Sequence, residues 1–226
     1  MLSIKGISLL FSHTAQIFLG ASMLMYALRF RHLPVEFKAL GIFLIIDLIT
    51  ELAATWTLYQ RINNLPLLHI YTLLEFVSLS LFYRVVFASQ AGFQRFFWPF
   101  VGVVSALVVA NSIFLEPPTG FNSNAKTLVQ ITLMGYAVFY FFNAYGKTDF
   151  SKPRYLAQGL VNTAVLLYNA GSLFVFMFAK ILAQNKAVRD SQNVFWMFNA
   201  LLFLIFQLLV FIAIWKAAFR QTKSSS

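Results

Sequence analysis

Asp47, Glu51 and Glu75 lie inside apolar runs long enough to cross a bilayer. A charged side chain at mid-bilayer is costly, so such residues usually face a protein interior or a wet cavity and mark function. Asp47 and Glu51 are four apart and share a helix face, and Thr55 continues the stripe. In the next run His69, Thr72, Glu75 and Ser78 step by three and form a slowly winding row. If the two runs are antiparallel helices, a rise of about 1.5 Å per residue brings Glu51 and Glu75 to similar depths near mid-membrane, with Asp47 deeper and His69 nearer the outside. Two carboxylates at one depth do not both ionise cheaply in low dielectric, so one is expected to keep its proton. With a histidine nearby, such a pair can relay protons, bind a cation, or hold an amine or hydroxyl ligand.

Other apolar runs add polar residues: His13 and Gln16 in the first, Asn111, Gln130, Tyr168, Asn169 and Ser172 further on, and Asn199 in the last. Most fall at mid-depth or outward, which points to a polar cavity in the outer half of a bundle. Taken singly, Asn and Gln between membrane helices often serve only as interhelical hydrogen bonds, at roughly 0.6 kcal/mol each. Two acids one turn apart are harder to explain that way.

The elements that must carry these groups follow from composition. The chain is 60% hydrophobic and 11% charged, and 27 of its 226 residues are Phe. A soluble domain is about 25% charged, and a core of this size cannot hide so much apolar surface, so the surrounding solvent must be lipid. A bilayer-spanning helix needs about 20 apolar residues. Seven runs qualify: roughly Ile7–Leu28, Leu40–Leu58, Pro66–Phe87, Phe97–Leu115, Lys126–Tyr145, Gly159–Leu182 and Val194–Ala217. The expected fold is all-α, a single seven-helix transmembrane domain over residues 1–226 with a short polar tail at 223–226. Pro34, Pro66, Pro99 and Pro153 fall at or near expected helix starts, where a missing N–H costs little. Asn122, Ser123 and Asn124 offer N-cap side chains for the fifth helix. The first run is too long for the apolar core of a cleaved signal peptide and is kept as helix one.

Lys and Arg divide unevenly between the two sides, eleven against six, with Lys126 counted in the smaller, outer set. The positive-inside rule then puts the N-terminus outside and the C-terminus in the cytoplasm. The net charge of +10 is read as loop charge meeting anionic headgroups rather than nucleic acid. The chain has no cysteine, which removes disulfides and thiolate chemistry. No cofactor is expected. A retinal-type lysine would have to sit in the bundle interior, and Lys180 and Lys216 fall at helix ends. The only histidines, His13, His32 and His69, are too few for a zinc hydrolase and a weak set for haem. Phosphate-binding loops and nucleophile-elbow motifs are lacking.

The segment Asn63–Phe76, with His69, Tyr71, Thr72 and Glu75 in an H-x-Y-T-x-x-E-F pattern, resembles a stretch in an uncharacterised group of bacterial seven-helix inner-membrane proteins. Phe121-Asn122-Ser123 is similar to a second marker of that group. The resemblance implies architecture and an inner (plasma) membrane location, and it points to His69, Tyr71, Glu75 and Asn122; it transfers no mechanism. The leading functional expectation is a receptor-like or sensory module, not an enzyme. It would bind a small ligand in an outward polar cavity and signal to a cytoplasmic or membrane protein partner. The alternatives are a proton- or cation-coupled transporter using the carboxylates, a scaffold subunit of a membrane complex, and a lipid-acting enzyme.

Overall fold

The computed structural model describes residues 3–145, 150–184 and 189–219. The tail at 223–226 lies outside them. Among the described residues the chain is helical throughout, with seven helices: α1 (Ile4–Arg29), α2 (Val35–Tyr59), α3 (Leu65–Val86), α4 (Ala91–Phe114), α5 (Ser123–Ala144), α6 (Pro153–Gln184) and α7 (Arg189–Phe219). Six of them are long and apolar enough to cross a membrane; α2, which carries Glu36, Asp47 and Glu51, is not among the six.

The helices form a ring. Going round it, α1 packs on α2, α2 on α3, α3 on α5, α5 on α6, α6 on α7, and α7 returns to α1. Helix α4 stands outside the ring in the groove between α3 and α5. The interior holds large rings, among them Phe37, Phe43, Phe76, Phe82 and Tyr83, all almost fully buried. The perimeter is apolar too: Ile17, Leu24, Ile49, Leu52, Ile113 and Phe142 are exposed. A bundle that is greasy inside and out is stable only with hydrocarbon around it, as a multi-pass membrane protein requires.

Most helices start earlier than the apolar runs, because hydropathy reports which residues suit lipid and not where backbone hydrogen bonds begin. Helix α2 opens after Pro34 and runs through Glu36 and Lys38 before its first apolar stretch. The largest shifts, six residues each, are in α6 and in α4. Pro99 therefore lies inside α4 rather than near its start. Pro66 and Pro153 do sit in first turns. Close approach is decided at Gly41 on α2, where an added Cβ would collide with the Tyr26 ring of α1. The Tyr26 hydroxyl then donates to the Lys38 carbonyl at 3.1 Å and fixes that contact.

Candidate functional site

The polar row on α3 is met, rung by rung, by the connection into α5 and by the first turn of α5. His69 bonds Ser112 Oγ on α4 at 2.8 Å and the Gly120 carbonyl at 3.1 Å. Asn122 Nδ2 donates to Thr72 Oγ1 at 2.7 Å and to the Leu68 carbonyl at 3.3 Å. The Lys126 ammonium pairs with the Glu75 carboxylate. A spacing of three down α3 faces positions 120, 122 and 126, so both segments singled out in the sequence lie against each other. Asn122 gives its side chain to α3 and makes no cap bond to α5. Glu116 takes over that role: its Oε2 accepts from the Asn124 N–H at 3.0 Å and from Asn111 at 2.9 Å, a favourable place for negative charge at a helix start.

On the α2 side, Asp47 accepts from the Tyr71 hydroxyl at 2.9 Å and from Gln207 Nε2 at 2.6 Å, so α2, α3 and α7 are tied at one carboxylate. Glu51 Oε2 accepts from Gln16 Nε2 at 3.0 Å, and the same amide reaches Thr55 Oγ1 at 3.0 Å. Gln16 Oε1 in turn meets His13 Nδ1 at 3.2 Å. The Tyr71–Asp47 bond also sets the antiparallel register of α2 and α3. It places Glu51 beside Leu67 and Leu68, roughly two helical turns from Glu75. The two carboxylates thus do not share a depth or a proton, contrary to the expectation from helix rise alone. Tyr71 spans part of the difference, and Lys126 reaches down to Glu75.

A cavity of about 340 Å³ occupies the half of the bundle nearest the N-terminus. It is lined by Ser8 and Ser12 of α1, Thr50 and Glu51 of α2, Asn64 and Tyr71 around α3, and Lys126 of α5; Tyr168 and Phe176 of α6 and Trp196, Asn199 and Phe203 of α7 complete its wall. Lys126 forms part of that wall with its ammonium over three ring faces: Tyr71 at 5.3 Å, Tyr168 at 5.9 Å and Phe176 at 5.4 Å. The rings supply cation–π attraction where water is scarce, which together with Glu75 holds the lysine charge in the interior. Trp196 stacks on Phe121 and meets Phe176 edge-on, closing one wall.

The expected site residues are therefore not all gathered at the cavity. Glu51, Tyr71 and Asn199 line the cavity. Asp47 and Glu75 stand behind Tyr71 and Lys126, and Gln16 behind Glu51. His69 and Thr72 are drawn away toward α4 and the α4–α5 connection. His69 is thus not the histidine of a carboxylate pair. His13 is on an exposed face of α1. Asn169 is buried and donates to the Val165 carbonyl of its own helix at 2.8 Å.

Lys126 was missed as a site residue because it was counted among outer loop charges. It is 1% exposed, inside the bundle. An interior lysine therefore does exist, contrary to the expectation that the lysines fall at helix ends. The signal lay in helical spacing. Lys126 precedes Val129, Gln130, Leu133 and Ala137 on the face of α5 that is buried.

A second polar cluster lies at the opposite end of the bundle. Glu36 is buried and accepts from Arg154 at 2.7 and 2.9 Å and from Gln158 at 2.7 Å, joining the starts of α2 and α6. Among the described residues no group of three His, Asp or Glu side chains is placed to hold a metal ion. Comparison with protein-family models, with curated proteins and with solved structures found no match.

Proposed function

We propose that the chain is a receptor-like seven-helix membrane module that binds a small ligand in its N-terminal-side cavity. In this reading all seven helices span, α2 included, because its acids turn inward where the ring shelters them. The N-terminus faces outside and the C-terminus the cytoplasm, in a bacterial inner membrane, with a cytoplasmic or membrane protein partner downstream. Moving Lys126 from the outer loops to the interior sharpens the positive-inside asymmetry that supports this orientation.

The observation that carries the proposal is the cavity itself. At about 340 Å³ it falls in the range of small-molecule sites, roughly 300–1,000 Å³, and mixes aromatic walls with a few convergent polar groups. A second space, of about 200 Å³, lies at the other end and is lined by Val86, Phe87 and Gln90. Between Tyr71 of the first and Val86 of the second, α3 buries Thr72, Glu75, Phe76, Ser78, Leu79, Ser80, Phe82 and Tyr83. A site closed at its base by packed side chains suits binding more than passage. Thermal-shift screening of the purified chain with small polar and lipid ligands tests it. Stabilisation by a discrete ligand class is expected, and a flat response across a broad library would reject it.

Coupled proton or cation transport is the second reading. Its support is the polar continuity from Glu51 at the cavity through Tyr71 to Asp47 and Gln207. Flux in liposomes loaded with a pH-sensitive dye separates the two; transport requires a flux that falls in Glu51→Gln and Asp47→Asn.

A further inference from the structure

We infer that the cavity selects an organic ammonium ion, a primary to quaternary amine carried on an apolar body. This rests on the ligand-binding reading above and names the chemical class that reading leaves open.

Among the described residues Lys126 is the basic one in the cavity wall, and it is taken: its ammonium pairs with Glu75 and lies over three rings. An anionic ligand would have to displace Glu75 to use it. Glu51 is in the opposite condition. It lines the cavity, its Oε2 has only the neutral Gln16 amide, and its Oε1 has no hydrogen-bond partner among the described residues. No described basic side chain pairs with it. Asn199 also lines the cavity, and its Oδ1 is a buried acceptor with no partner. Buried polar atoms are rarely left unpaired, and a carboxylate in a half-buried, ring-lined space strongly favours a neighbouring positive charge. A carboxylate with no basic partner and a buried, unfilled acceptor facing one space favour a ligand that carries positive charge and donates hydrogen bonds.

The walls agree. Tyr168, Phe176, Trp196 and Phe203 line the same space. Ring faces of this kind attract ammonium groups and also pack an apolar body. Two of these rings, Tyr168 and Phe176, already hold one ammonium, that of Lys126, so they accept that charge. Neutral polar ligands would satisfy Asn199 but leave the Glu51 charge uncompensated.

Three isosteric probes decide it: phenethylamine, phenethyl alcohol and phenylacetate, with benzyltrimethylammonium as a quaternary form. Each is titrated into the purified full-length chain in detergent while melting temperature and tryptophan fluorescence are read. The two ammonium probes should stabilise the chain and the other two should not. Glu51→Gln should weaken ammonium binding at least tenfold, and Asn199→Asp should strengthen it, a gain that misfolding cannot mimic. Binding of phenylacetate or the alcohol in preference to the amines overturns the ammonium assignment while leaving a ligand site in place. Ammonium binding that is unchanged in both variants overturns it as well. No binding of any of the four probes also overturns it, and the broad library then decides separately whether the cavity is a site at all.

Discussion

The Lys126 ammonium on α5 closes an ion pair with the Glu75 carboxylate on α3, and both side chains are withdrawn almost completely from solvent. Two charges can sit there because each neutralises the other and three rings surround the cation. Breaking a buried pair leaves one charge uncompensated, at about 3–5 kcal/mol, whereas removing both partners is far less costly. Lys126→Met and Glu75→Gln are each expected to lower the unfolding midpoint strongly. The double variant should recover most of the loss, and a midpoint equal to the sum of the singles would contradict the pairing.

Stability and ligand recognition should separate between His69 and Glu51. His69 ties α3 to α4 and to the Gly120 carbonyl, away from the cavity. His69→Leu should cost about 1–2 kcal/mol through lost and unsatisfied hydrogen bonds and leave binding of any cavity ligand within about twofold. Glu51→Gln should do the reverse. Parallel melting and titration curves for the two variants check this.

At the opposite end, Arg154 grips the buried Glu36 with two hydrogen bonds while itself half exposed. Arg154→Met should destabilise by about 1–3 kcal/mol, less than a fully buried pair because water screens the guanidinium. Adding Glu36→Gln should restore part of that stability. A chemical-denaturation series in mild detergent reads both changes.

Gly41→Ala tests the contact between α1 and α2. The added methyl group meets the Tyr26 ring, and overpacking of this kind costs about 1–3 kcal/mol. Pairing it with Tyr26→Ala should remove the clash, so the double variant should melt above the value expected from adding the two single effects.

Orientation can be read because the chain has no cysteine of its own. Gln60→Cys, between α2 and α3, should react with a membrane-impermeant maleimide added to intact cells. Ser89→Cys, between α3 and α4, should react only after the membrane is opened. The opposite pattern would invert the proposed topology.

The helical class, the lipid solvent and the inward-facing acids were legible in the residue order, because hydropathy, charge scarcity and spacing are local properties. Residue spacing drew attention to the α3 row and a family resemblance to Phe121–Ser123, and the two segments do pack together. Only the tertiary structure decided what each acid touches. Lys126 reads as a loop charge until α5 is rotated against α3 and its long stem carries the ammonium inward. Helix rise alone put Glu51 level with Glu75, while the register fixed by Tyr71 and Asp47 separates them. Pairing partners depend on how helices turn and slide against one another, and that information is summed over every packed residue in the ring rather than carried by any one segment.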